Sequence, residues 1–189
     1  MVHSTTRCAI GIGSNLTVMT FNPIDIIKAS IIALDNMGIE VEAVSNFYQT
    51  PSFPKGSGPD FVNACLVIRS VLAPDALLEK LHFCEGQMSR KREQRWGART
   101  LDLDLLFYGD TITPNLKTFE RWRALPLEDQ MVLAPQELIL PHPRLHERSF
   151  VLAPLMDICP TWQHPVLGLS VAELYSRLEP KEHFDMKRL

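Results

Sequence analysis

No stretch of this chain approaches the roughly 20 consecutive apolar residues that a membrane-spanning helix needs. Met1 to Arg7 likewise lacks an apolar core of signal-peptide length. Cysteine is scarce: Cys8, Cys65, Cys84 and Cys159 are scattered, with no C-x-x-C pair. The first three lie in apolar segments and read as small buried hydrophobes, so a reducing cytoplasm is expected and no membrane partner. A large charge of one sign is lacking too. The net charge of -3 makes the molecule as a whole no electrostatic trap for nucleic acid. Several nucleotide and metal motifs are missing. Gly11-Ile12-Gly13 begins like a dinucleotide-binding turn, but Leu16 breaks G-x-G-x-x-G, and G-x-x-x-x-G-K-[ST] occurs nowhere. His142 and His146 are four apart, yet Pro143 falls between them and there is no H-E-x-x-H. Internal repeats and low-complexity stretches are absent.

What is present suits one soluble globular domain spanning residues 1–189, with 46% hydrophobic and 22% charged residues. Cys8 to Ile12 reads as a strand running into the turn Gly13-Ser14-Asn15. A helix follows, with Asn22 as its cap, Pro23 in its first position, Gly38 at its close, and Ile24, Ile27, Ile31 and Leu34 on one face. Ile39, Val41 and Ala43 alternate with Glu40 and Glu42, the period of a half-exposed strand. Phe61 to Ile68 is apolar on both faces and predicts a central strand. Pro74 opens a second helix striped by Leu77, Leu78, Leu81 and Cys84, and Leu101 to Tyr108 predicts a fourth strand. The order β-α-β-β-α-β is that of a ferredoxin-like α+β sandwich, here with extra C-terminal helices around Phe150 to Ile158 and Val171 to Leu178. Gln49 to Pro59, rich in proline and glycine, predicts a long loop. Asp110 to Gln136 is polar and mixed in signal, and no structure is assigned to it.

The chemistry concentrates between Ser89 and Asp104. Arg90, Lys91, Arg92, Arg95 and Arg99 put five cations into ten positions, and Asp102 and Asp104 follow at once. On a strand, residues two apart share a face, so both carboxylates point away from the side taken by Leu101, Leu103 and Leu105. Two adjacent carboxylates repel each other. A divalent metal resolves that repulsion, and magnesium is commonly held by one or two carboxylates plus substrate phosphates. Neighbouring arginines match phosphate oxygens with forked donors. The combination describes a nucleoside-triphosphate site. Alone, an L-D-L-D strand also describes a solvated sheet face, and a basic run a solvated helix end. A palm-like nucleotidyltransferase or cyclase can carry the same acidic pair, and an RNA-binding module could use the basic run; net charge and the acidic pair speak against the latter.

The run Arg95-Trp96-Gly97-Ala98-Arg99-Thr100-Leu101-Asp102-Leu103-Asp104 closely resembles the signature of the 6-hydroxymethyl-7,8-dihydropterin pyrophosphokinase family. Ile12 to Leu16, Phe47 to Pro51, Pro59 to Ala64, Leu140 to Arg144 and Glu147 to Leu152 match in the same order, so the resemblance covers roughly residues 8 to 165. It implies transfer of pyrophosphate from ATP to the pterin hydroxymethyl group, with AMP released, in folate biosynthesis. It also implies roles for individual residues. Asp102 and Asp104 would bind two Mg2+ ions. Arg90, Arg92 and Arg99, with His142 and Arg148, would hold phosphates, and Trp96 would close over the substrates. Phe61 and Phe150 would stack on the pterin, with Asn63 reading its edge together with the Thr50, Pro51 and Phe53 segment. His82 and Glu85 would lie near the adenine. The expected partners are these small molecules only, with the protein a monomer. Several positions depart from the family pattern: Ala98 where Pro is usual, Phe61 for Tyr, His82 for Gln, and Glu137 and Ile139 where a basic residue and a Thr can meet ATP.

Overall fold

A computed structural model describes residues 4–52, 56, 58–88, 100–179 and 186–189. Phe53 and the segment 89–99, with Arg90, Arg92, Trp96, Ala98 and Arg99, lie outside the described residues. In chain order the elements are β1 (Thr6–Ser14), α1 (Pro23–Asn36), β2 (Glu40–Val44), β3 (Tyr48–Thr50), β4 (Phe61–Ser70), α2 (Pro74–Gln87), β5 (Asp102–Tyr108), α3 (Leu116–Arg123), α4 (Leu127–Val132), α5 (Ser149–Ile158), α6 (Val171–Ser176) and β6 (Lys187–Arg188).

The sheet order is β5-β1-β4-β3-β6, with β2 also on β4, and every pairing is antiparallel. β4 is central as expected, with β1 on one side and β2 and β3 on the other. β1 and β2 therefore run parallel with β4 between them, and β4 and β5 run parallel with β1 between them. These two interleaved βαβ units make the ferredoxin-like sandwich. The local signals for α1 hold in detail. Asn22 accepts from the N–H groups of Ile24 and Asp25, Asp25 answers on the Asn22 N–H, and Gly38 leaves the helix at φ 79°.

Two apolar layers sandwich the sheet. On one face α1 and α2 bury Cys8, Ile10, Ile12, Leu66, Ile68, Leu103 and Leu105 with their own Ile27, Leu34, Leu77 and Leu81. On the other, α5 and α6 cover Ala9, Cys65, Val67, Leu106 and Phe107, and Trp162 stacks on Phe107 at 4.0 Å. This second layer stops halfway along the strands. All four cysteines are buried. Met37 and Met88 pack at the ends of their helices against the first layer.

β2 is half-exposed as its alternation predicts, with half-buried Val41 and Ala43 between exposed Glu40, Glu42 and Val44. The register of β2 on β4 shifts between Val41 and Ala43, so Val41 packs into the first layer and Ala43 into the second. The unassigned stretch from Asp110 to Gln136 contains α3 and α4. The α3 helix hides only Phe119, and a single apolar anchor produces no stripe in the sequence. Among the described residues no helix is long and apolar enough to cross a membrane.

Candidate active site

Strand register assembles the site. Gly13 of β1 lies opposite Asn63 of β4 on one side and Asp102 of β5 on the other, and Gly11 lies opposite Asp104. On β3, Thr50 pairs with Phe61 and Tyr48 with Asn63. Directly opposed residues project from the same face of a sheet. Asp102, Asp104, Asn63, Phe61 and Thr50 therefore share the face that α5 and α6 leave uncovered at this end. Leu101, Leu103 and Leu105, each at most 3% exposed, anchor β5 from behind, while both aspartates are half-buried.

The open end of the sheet is bordered by tied-down loops. Asn15 Nδ2 donates to the Pro59 carbonyl at 3.0 Å, and Ser52 Oγ to the Gly58 carbonyl at 3.0 Å. Gln49 Nε2 donates to Asp60 at 2.9 Å. Pro51 is half-buried beside Thr50 at the start of this loop. Asn63 is 9% exposed and donates from Nδ2 to Thr50 Oγ1 at 2.7 Å.

His142 reaches the site along β5, donating its backbone N–H to the Leu106 carbonyl at 2.7 Å. Its Nδ1 accepts from the Arg144 N–H at 3.1 Å, which leaves the ring proton on Nε2. Burial, then the Arg148 and Arg144 guanidinium groups, hold this imidazole well below its usual pKa, against an opposing pull from Asp102. His142 is thus a neutral N–H donor set between two cations and a carboxylate. Arg148 lies 5.6 Å over the Phe150 ring at the start of α5, and Phe150 is 37% exposed. The first turn of α5 is pinned to β4 where Cys65 Sγ donates to the Val151 carbonyl at 3.6 Å.

Glu85 and His82 are one turn apart on α2, on the other side of the sheet from the aspartates. His82 is exposed, whereas Glu85 is only 2% exposed, and its Oε1 accepts from the Leu103 N–H at 2.8 Å. The structure therefore gives Glu85 a task that sequence reading missed, that of bracing the strand between the two aspartates. Nothing in the spacing of α2 signals it, because the partner is a backbone group. Glu137 is exposed and Ile139 is buried at 4%, so neither repeats the side-chain chemistry that the family can place there.

Among the described residues no cluster of three or more metal-ligating side chains occurs. The donor set is the aspartate pair. Hard carboxylate oxygens, half-exposed and with the uncovered face above them, suit a magnesium ion that completes its shell from water and substrate phosphates.

A ferredoxin-like α+β domain with an acidic pair on its open sheet end defines a class of phosphate-transferring enzymes. Comparison with known proteins narrows it. The model of the 7,8-dihydro-6-hydroxymethylpterin-pyrophosphokinase family matches residues 9–160, and the chain belongs to that family. A 2-amino-4-hydroxy-6-hydroxymethyldihydropteridine pyrophosphokinase of Synechocystis sp. is 34% identical over 90% of this chain and 75% of its own. One from Methylorubrum extorquens is 31% identical over 93% of this chain and 95% of its own. Among solved structures, wild-type HPPK-DHPS of Plasmodium falciparum superimposes with a TM-score of 0.67 at 17% identity, a likeness of fold. It covers 98% of this chain but 44% of that one, so the chain spans less than half of that protein.

Proposed function

We infer that this protein is an ATP-dependent diphosphokinase that transfers the pyrophosphoryl group of ATP to the hydroxymethyl oxygen of 6-hydroxymethyl-7,8-dihydropterin and releases AMP, in folate biosynthesis. The observation that carries the assignment is the sheet face on which Asp102 and Asp104 stand with one strand, β1, between them and Asn63 and Phe61. A planar pterin needs an aromatic face and a hydrogen-bonding edge, and Phe61 with Asn63 offers both. Phe150 supplies the second aromatic face, with Thr50 and Pro51 along the rim, and Phe53 is proposed to contact the pterin as well.

Asp102 and Asp104 are the residues that would hold two Mg2+ ions. Bound there, magnesium would offset the phosphate charge and align the entering and leaving oxygens. The protein's own work is binding and alignment. The neutral Nε2–H of His142 and the guanidinium of Arg148 face the phosphates. Arg90, Arg92 and Arg99 add charge from the segment that also carries Trp96. His82 and Glu85 stand on the adenine side, where Glu85 acts by holding β5.

We further propose a single pyrophosphokinase domain over residues 1–189, monomeric and working in the cytoplasm, with small-molecule substrates and no nucleic-acid or membrane partner. The near-balanced net charge and four buried, unpaired cysteines support this. Incubation with ATP, Mg2+ and the hydroxymethyl-dihydropterin tests the function directly. AMP should form only when pterin and metal are both present. ADP as product, or a cyclised or polymerised nucleotide as in a palm-like nucleotidyltransferase, overturns the assignment.

A further inference from the structure

We propose that Arg123, Arg144, His146 and His164 form a second anion site, apart from the acidic pair and the pterin face, that takes a small tetrahedral oxyanion. The cluster joins three parts of the chain: the C-terminal end of α3, the turn at 144–147 and the loop between α5 and α6. His164 is fully buried. Its Nδ1 accepts from the Val166 and Leu167 N–H groups, so the neutral ring carries its proton on Nε2. That Nε2–H has no hydrogen-bond partner. The ring packs against Phe119 and Trp162, with centroids 5.6 and 5.8 Å away. Arg123 stands one helical turn after Phe119 on the same face of α3, and its buried Nε–H is unpartnered as well. Arg144 donates from Nη1 to the Leu125 carbonyl at 3.3 Å and pairs with Glu147. Its Nε–H is nevertheless buried without an acceptor.

Buried donors in folded proteins are nearly always matched. Three unmatched N–H groups in one cluster call for an acceptor with several oxygens, and the charges decide its kind. Arg123 and Arg144 bring two positive charges and Glu147 one negative, and Arg123 has no ion pair among the described residues. His164 faces His146 and Arg123. His146 faces Arg123, Arg144 and the Glu147 carboxylate, the last at 4.0 Å. Water satisfies the donors and leaves the surplus charge in place. An oxyanion accepts the same bonds, offsets that charge and allows the imidazoles to protonate, so it binds more tightly as pH falls. Arg123, Arg144 and His146 are only half-buried, which gives an ion a way in from solvent. Arg144 also faces His142, so the test keeps the catalytic site occupied.

Sulfate is the probe, because its charge does not change between neutral and mildly acidic pH. The imidazole NMR signals of His146 and His164 are followed in the full chain, each assigned by its loss in His146→Gln or His164→Phe. ATP and Mg2+ are present without pterin, and chloride keeps the ionic strength constant. Both signals should move saturably with sulfate, with a Kd about tenfold lower at about pH 5.5 than at about pH 7. Arg123→Gln should raise that Kd by about tenfold or more, and Arg123→Lys, which keeps the charge and loses the Nε–H, should fall between. Signals that ignore sulfate, or respond equally to chloride, overturn the proposal. So does an unchanged Kd in Arg123→Gln, or sulfate binding that does not tighten as the pH falls.

Discussion

At the scale of single residues, the site brings two like charges together on one strand face. Asp102 and Asp104 project from one strand face two residues apart, and both are half-buried. Replacing either with Asn removes charge and leaves Leu101, Leu103 and Leu105 in place. We expect AMP release to fall by about 10²-fold or more in each variant. The thermal midpoint should change little by comparison, since neither aspartate belongs to the apolar core. Wild-type turnover in either variant would remove the pair from catalysis. His142 shows the complementary logic: it is kept neutral by burial and by Arg148 and Arg144, so its ring N–H is available without a third positive charge beside those two arginines. The aspartates and Asn63 were legible in the sequence because polar side chains interrupt apolar strands there. The contact between Asn63 and the Thr50 hydroxyl was not, since its two partners meet across the sheet.

At the scale of elements, β5 is the strand on which the site depends, and it lies at the end of the sheet order. Its Leu103 N–H goes to a helix side chain, Glu85, instead of to another strand. An edge strand with an unpaired, buried N–H is costly. Glu85→Ala should therefore destabilise the fold by about 1–3 kcal/mol in urea unfolding. Glu85→Gln keeps an oxygen acceptor and should recover much of that loss. Equal stability of the two variants would show that the brace does not matter. α1, announced by its cap, proline and stripe, was legible almost to the residue, and α2 by Pro74 and its stripe. β2 was legible as a strand, but its bulge was not, because a one-residue register shift leaves no mark on local alternation. α3 stayed hidden because its single buried residue, Phe119, meets His164 from far along the chain, with ring centroids 5.6 Å apart.

At the scale of the whole molecule, the C-terminal layer carries two histidines that the fold holds uncharged. His164 is fully buried, and its Nδ1 accepts from the Val166 and Leu167 N–H groups at 3.2 and 3.3 Å. Burial, then the neighbouring His146 and Arg123, push it down to about 4. His146 is pushed down to about 4 by burial and then by Arg123 and Arg144. In the unfolded chain both take up protons near 6.5. Between those values the unfolded state binds more protons than the folded one. Their contribution to stability is therefore complete above pH 6.5 and is lost as the pH falls toward 4. The slope is at most about 1.4 kcal/mol per pH unit for each histidine. Urea midpoints measured from pH 7 to 4 should fall along this slope, and His164→Phe should flatten it whatever its effect at neutral pH. An unchanged slope in that variant would show that His164 is not the group that titrates.

The sequence by itself determined the β-α-β-β-α-β order of the sandwich, the helices α1 and α2, the central place of β4 and the acidic pair with its common facing. These follow from short-range physics: periodicity, capping and the two-residue repeat of a strand act within a few residues of one another. Only the tertiary structure decided that the second apolar layer ends halfway along the sheet, that Gly13 lies opposite both Asn63 and Asp102, that Glu85 closes the edge of β5, and that His142 is neutral. Each of these depends on a partner tens of residues away, whose distance is set by strand register and helix docking and has no trace in the local pattern.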